Sequence, residues 1–439
     1  MSILNNHFRK IIIYLLLIIS LSDNSGAQCP ATKYGIVPVW PVNWTYTDKE
    51  NWYQMMHDKG MGYFHSIYTW QDLEQIQNNG LLSAVIDYFI HIKEDYEFKH
   101  HLLIRNPAIT FNAVPPDYLG MTYSDTAMTN AFYDFCIETV DSFAMVLDYL
   151  TIGGEADGYF AVYPEQLHDY VNVLSDVADY VHTNYPSIKF ATTLTFLHGV
   201  MENDTLWQLT KDFSDMLSVT YWPLEPDFMV MPSAVTGIEG HISDLIAAAD
   251  DKPVIIKESG LPSATLLNSS EAMQEQFAAE LFYQTMNEDQ IEIVGWDFLA
   301  DFDSITLDQL VIQHQIYTPE FRAYIGTLGL MDTTGNPKPA YNTYLQIMDS
   351  LCNSLSIEQN EENTGEDIFF YPNPANSRFM IETVKDCRVK MFDCHGRLVL
   401  EEKDTRIIDI THLTDGIYFL RIESYDRVQI KKIIKSCIY

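Results

Sequence analysis

Apolar residues follow two rhythms along this chain. From Tyr34 to about residue 350, short and nearly unbroken apolar runs alternate with longer segments whose apolar positions recur three and four apart. The first kind reads as parallel strands covered on both faces, the second as amphipathic helices that cross over between them. Eight such runs stand out, at 35–40, 62–67, 101–105, 147–152, 189–194, 216–221, 253–256 and 291–296. Eight strands alternating with helices is what a closed (β/α)8 TIM barrel requires, so the predicted class is α/β. An open doubly wound sheet fits less well, because no glycine-rich phosphate turn follows the first strand.

The rhythm changes after residue 350. Ser354 to Asp367 is polar, acidic and nearly free of large apolar side chains, so 351–367 reads as an acidic linker. Beyond it come alternating segments at 379–384, 388–392, 398–400, 406–410, 416–422 and 428–430, with turn residues at His395-Gly396 and Thr414-Asp415-Gly416. A period of two with regular turns predicts a small all-β sandwich over 368–439. At the other end, a basic stretch His7-Phe8-Arg9-Lys10, an apolar run from Ile11 to Leu21 and the small residues Ser25-Gly26-Ala27 make 1–27 a signal peptide. The barrel is then expected over 28–350. No other stretch has the length and apolarity of a membrane span, so the mature chain is expected to contain none.

Charge and cysteines narrow the partners. With 61 acidic against 26 basic residues the formal charge is −35. A field of that sign repels phosphate backbones and anionic surfaces, which removes nucleic acid from the expected partners and makes a neutral glycan an easier substrate than an anionic one. Export permits disulfides, and the 6 cysteines are even in number. Cys387 with Cys394 and Cys29 with Cys352 are two candidate pairings among many. Cys136 reads as a buried helix residue. No zinc spacing, phosphate loop or Ser-His-Asp order occurs, and neither a cofactor nor a metal is expected; Asp297, Asp301 and Asp303 lack the spacing of a calcium loop.

Two strand ends carry the candidate chemistry. Pro253-Val-Ile-Ile-Lys-Glu258-Ser-Gly ends a buried strand on a glutamate, and Leu147-Asp-Tyr-Leu-Thr-Ile-Gly-Gly-Glu155 does the same one hundred residues earlier. The carboxyl ends of barrel strands are where catalytic groups collect, because the barrel holds them rigid. Retaining hydrolysis of a glycosidic bond needs two carboxyls about 5–5.5 Å apart, one to attack and one to protonate the leaving oxygen. Around them, Tyr221 is expected to donate to Glu258 and Trp296 to form a stacking floor for the sugar. Trp40, Arg105, Asn106 and Trp222, at or just after strand ends, are further candidates for binding a polysaccharide or oligosaccharide.

Two resemblances follow from these residues. Phe370-Tyr-Pro-Asn-Pro-Ala375, Gly396-Arg397, Leu413-Thr-Asp-Gly-Ile-Tyr-Phe-Leu-Arg421 and Lys431-Lys-Ile-Ile-Lys435 together resemble the C-terminal sorting domain of the type IX secretion system. That implies a partner in the secretion machinery of a Bacteroidetes-type bacterium, and release or display at the cell surface. The barrel is similar to the large clan of retaining glycoside hydrolases whose acid/base follows the fourth strand and whose nucleophile follows the seventh, the places of Glu155 and Glu258. The closing segment Leu328-Gly-Leu-Met-Asp-Thr-Thr-Gly-Asn-Pro-Lys-Pro-Ala-Tyr341 resembles that clan's as well. The resemblance implies a secreted retaining β-glycoside hydrolase, which is expected to cut within a neutral polysaccharide. One departure matters: Gly154 stands where the clan usually has an asparagine that binds the sugar 2-hydroxyl. This opens an alternative, a glycan-binding protein on a degenerate barrel.

Overall fold

The computed structural model describes residues 30–358 and, further on, 369–435 apart from 372–374, 376, 383–387, 394–396, 404, 415 and 425–426. The chain divides into two units between Ser356 and Ile357. The expected signal peptide and both candidate disulfides involve residues outside this description; Cys136 is a buried free thiol. The helix Pro339–Glu358 runs on into the stretch read as linker. Its inward stripe, Tyr344, Met348 and Leu351, keeps the three-and-four spacing past residue 350, and no proline or glycine falls between 340 and 358 to stop it.

The first unit is built on β1 (Tyr34–Ile36), β2 (Tyr63–Tyr68), β3 (Lys99–Ala108), β4 (Tyr149–Gly154), β5 (Lys189–Ala191), β6 (Thr193–Thr195), β7 (Leu217–Tyr221), β8 (Val254–Ser259) and β9 (Ile291–Trp296). They pair in parallel in the order β5-β4-β3-β2-β1-β9-β8-β7-β6. The two edge strands, β5 and β6, are halves of the fifth apolar run, divided only at Thr192. Adjacent in sequence and at opposite ends of the strand order, they curl the sheet into a ring, the predicted TIM barrel with helices outside.

Alternation sorts the side chains of each strand. On the helix side Leu102, Ile104, Leu150, Ile152, Val219, Val254 and Ile256 are fully buried, each contributing roughly 1.5–3 kcal/mol by leaving water. The other parity fills the ring: Tyr63, Tyr149, Ala191, Met216, Ile255 and Ile293 form a separate buried cluster. Above it the interior turns polar and is hydrogen-bonded in part, with His65 Nε2 and Asp297 Oδ1 left without a partner. Tyr63 Oη lies 2.8 Å from His101 Nδ1, whose Nε2 lies 2.8 Å from Thr151 Oγ1, and Thr193 and Ser218 share a hydroxyl contact of 3.1 Å. Burial holds His65 and His101 well below the ordinary histidine range, so both rings are neutral.

The second unit holds two antiparallel sheets. One joins β10 (Phe369–Tyr371), β11 (Arg378–Glu382) and β14 (Ile407–Asp409); the other orders as β13-β12-β15-β16, with β12 Arg388–Asp393, β13 Leu398–Lys403, β15 Gly416–Ser424 and β16 Arg427–Lys435. Their inner residues, among them Phe379, Ile381, Val389, Met391, Ile408, Leu420 and Ile433, share one buried core. Between β12 and β15 the register sets Val389 opposite Ile422 and Met391 opposite Leu420, so one face of the pair is apolar. This is the small sandwich the alternation predicts.

Candidate active site

A cavity of about 470 Å³ opens at the carboxyl ends of the barrel strands, with Arg105, Glu155, Thr220, Glu258 and Asp297 among its lining. Each reaches it by a specific local device. Gly153 takes φ +88°, and a Cβ there would lie 2.5 Å from Tyr170 Oη, so only glycine fits this bend. Glu155, two residues later, is itself in the left-handed region at φ +56°. For a residue with a side chain this is a strained conformation, of a kind concentrated at functional sites. It turns Glu155 from the strand end toward β7, where Thr220 Oγ1 donates to its Oε1 at 2.7 Å and Trp222 Nε1 donates to the same oxygen at 3.1 Å.

Glu258 arrives by a bulge. Parity sends Ile255 and Lys257 inward and would send Glu258 out to the helices. Instead the register of β8 slips against both neighbours, between Val219 and Thr220 on one side and between Ile256 and Ser259 on the other. The slip aligns Glu258 with Thr220, the residue that donates to Glu155. Lys257 is fully buried, and its ammonium is in direct contact with Glu258 Oε1. Burial pushes the Lys257 amine well down and the Asp297 carboxyl well up, the latter against the pull of the Lys257 and Arg105 cations.

Arg105 explains the missing asparagine. A Cβ built on Gly154 would lie 2.9 Å from Arg105 Cγ and 3.6 Å from its Nε. The arginine stem crosses over the glycine, in the space a larger side chain would claim. Its guanidinium lies 5.8 Å from the Phe111 ring and makes no ion pair or hydrogen bond with the described residues, leaving its donors to the cavity. Burial lowers its pKa, while Glu155 and then Asp297 work in the opposite direction.

Of the other expected binding residues, Trp222 lines the cavity and four do not. Tyr221 makes no bond to Glu258: its hydroxyl is 2.7 Å from His241 Nδ1 and its ring packs on Phe196 and Phe277. Trp296 is buried against Phe277, with Nε1 donating to Leu328 O at 3.3 Å, so it forms no floor. Both are one position off in strand parity, and the residues facing the cavity are Thr220 and Asp297. Trp40 is held by Trp44, Trp52 and Tyr53 beside the first barrel helix. Asn106 is a loop clamp, accepting from Trp70 N at 2.6 Å and donating to Asn112 Oδ1 and Ala113 O. The three aspartates after β9 part company as well: Asp301 pairs with Lys338 at 2.8 Å and Asp303 caps the helix Ser304–His314.

Tyr324 and Phe228, which no strand-end argument reaches, also line the cavity. They come from segments inserted after β9 and β7. Among the described residues, His65, Glu258 and Asp297 are the one group with ligand atoms close enough for a metal, within 4.8 Å of one another. Lys257 Nζ already lies against Glu258 there.

Thr220→Val removes the shorter hydrogen bond to Glu155 while keeping the strand. A bond to a charged group is worth about 1.5–3 kcal/mol, so if the cavity cleaves glycosides as the sequence leads one to expect, kcat/KM for a glycoside with a poor leaving group should fall about 10- to 100-fold. If Thr220 positions Glu155, the loss shrinks with activated aryl glycosides. A loss equal for all leaving groups would mean general disruption instead.

Comparison with known proteins agrees with both units. Residues 369–436 match the family model described as "Secretion system C-terminal sorting domain", which implies secretion or export to the cell surface. Among the described residues no helix is long and apolar enough to cross a membrane. The barrel has the fold of glycoside hydrolases. A GH5_18 protein of Bifidobacterium longum subsp. longum, solved with Manβ1-4GlcNAc, is 14% identical over 75% of this chain and 78% of its own, with a TM-score of 0.54. A family 39 glycoside hydrolase of the gut symbiont Bacteroides cellulosilyticus WH2 gives 14%, 86%, 79% and 0.54 for the same quantities. A GH5_18 protein of Streptomyces cattleya, also in complex with Manβ1-4GlcNAc, gives 12%, 76%, 82% and 0.54. No curated protein matches the sequence.

Proposed function

We propose that this chain is an exported retaining β-glycoside hydrolase acting on the glycoside of a neutral sugar, with Glu258 as nucleophile and Glu155 as acid/base. The observation that carries this reading is the convergence of the two glutamates, from different strands, on one cavity through Thr220, which donates to Glu155 and is aligned with Glu258. The protein also shares its barrel fold with glycoside hydrolases, two of them solved with a mannose-containing disaccharide.

The roles follow from the contacts. Thr220 and Trp222 both donate to Oε1 of Glu155, so that oxygen is an acceptor and the proton to be transferred belongs on Oε2. Lys257 stabilises the negative charge that Glu258 needs for attack. In the first step a Glu258 oxygen bonds to the anomeric carbon as the C–O bond to the leaving group breaks, and Glu155 gives its proton to the departing oxygen. In the second, Glu155 takes a proton from water, the water oxygen bonds to the anomeric carbon and the ester to Glu258 is cleaved. The unpaired Arg105 donors are placed to bind sugar hydroxyls beside Glu155.

Gly154 and its crossing arginine favour one rival, a glycan-binding barrel without turnover. A panel of β-gluco-, β-galacto- and β-mannosides followed by proton NMR separates them. The first sugar released is expected as the β-anomer. Binding without release of any sugar by the unmutated full-length chain would overturn the hydrolase reading.

A further inference from the structure

One wall of the cavity, starting at Glu155, is built mainly from aromatic and aliphatic side chains, with Glu225, Gln313 and His314 the polar residues of the same segments that share the lining. Trp222, which donates to Glu155, stands edge-on to Tyr324 at 5.8 Å; Tyr324 stacks on Phe228 at 5.6 Å and 17°, and Phe228 meets Phe321 at 5.1 Å. All four rings line the cavity, and Leu310 and Ile316 extend the same wall. Phe228 is in the left-handed region at φ +69°, an unusual conformation for an aromatic residue, and it is held on the stack rather than turned to solvent. Beyond the stack, Ile312 and Tyr317 of the same inserted segment are 62% and 69% exposed.

A glycan continuing past the scissile bond would set hydroxyls against this wall, and each buried hydroxyl without a partner is unfavourable. An apolar group there would lose only its own contact with water. We propose that the leaving group is a hydrophobic, non-sugar aglycone, so that the substrate is the glycoside of an aryl or alkyl alcohol rather than an internal bond of a polysaccharide. This rests on the hydrolase reading above, because Glu155 marks the leaving-group side only if it protonates the departing oxygen. The aglycone then leaves as the free alcohol, carrying the Glu155 proton, while the sugar stays on Glu258 until water releases it.

The test uses the full-length chain with methyl, butyl and hexyl β-glycosides of glucose, galactose and mannose, the matching phenyl glycosides, and cellobiose, lactose and mannobiose. Turnover is read from released sugar, and binding from tryptophan fluorescence, both with the glycosides kept monomeric. For the accepted sugar, affinity and kcat/KM are expected to rise about fourfold per methylene, as for burial of each added group, with phenyl glycosides ahead of the disaccharides. Phe228→Asn, which tolerates the left-handed backbone, is expected to flatten the series. A series flat in chain length, with the disaccharide cleaved faster, would overturn the aglycone proposal and leave the hydrolase reading standing. Chain-length-dependent binding with no turnover of any glycoside would overturn the hydrolase reading and the leaving-group proposal with it, keeping only an apolar chamber. Neither binding nor turnover would overturn both.

Discussion

Glu258→Gln is expected to abolish turnover, lowering kcat on the order of 10⁴-fold or more, the scale on which removal of a covalent nucleophile acts. The amide keeps the size of the carboxylate and an oxygen for Lys257, so the β8 bulge and the cavity floor are expected to persist. Substrate binding should therefore survive, and circular dichroism should show a folded barrel. With Glu258→Ala and added azide, the small anion enters the vacated side and attacks directly, so the glycosyl azide formed should have inverted configuration. Retained activity in Glu258→Gln, or an azide product of unchanged configuration from Glu258→Ala, would remove Glu258 from the role of nucleophile.

The second large effect is expected at Glu155. Glu155→Gln keeps an acceptor for Thr220 Oγ1 and Trp222 Nε1 but has no proton to give. General acid catalysis typically contributes about 10²–10⁴-fold, so glycosides of poorly acidic alcohols should lose about that much. Dinitrophenyl glycosides, whose leaving oxygen needs no proton, should keep a fast first step and stall in the second, where Glu155 would activate water. A burst of phenolate followed by slow turnover is the expected trace. The same loss for all leaving groups, without a burst, would mean that Glu155 shapes the cavity rather than moving a proton.

Much of this arrangement was legible in the chain. Eight apolar runs with helical spacers defined a barrel, and the strand-end glutamates of 147–155 and 253–258 do meet in one cavity. Parity was misjudged at two strand ends. Tyr221 and Trp296 look like site residues by chemistry, but counting by twos from the inward Ser218 and Ile293 sends both to the helix side and brings Thr220 and Asp297 inward. Glu258 obeys no such count, because a bulge moves it, and bulges leave little trace in sequence. The meaning of Gly154 was hidden for another reason. It lies in a side-chain crossing from β3, forty-nine residues away by number, which only the three-dimensional fold brings together. Tyr324 and Phe228 belong to inserted segments whose position over the cavity no strand pattern encodes.

The central claim is that Glu258 carries the sugar between two half-reactions. Incubating the full-length protein with activated 2-deoxy-2-fluoro β-glycosides of glucose, galactose and mannose slows both steps, and the activated leaving group lets the first outrun the second. Intact mass should then rise by one fluorosugar per chain, with the added mass mapping to the peptide containing Glu258 and absent from Glu258→Gln. Turnover of the parent glycoside with the label on any other residue, or with no covalent adduct at all, would contradict it.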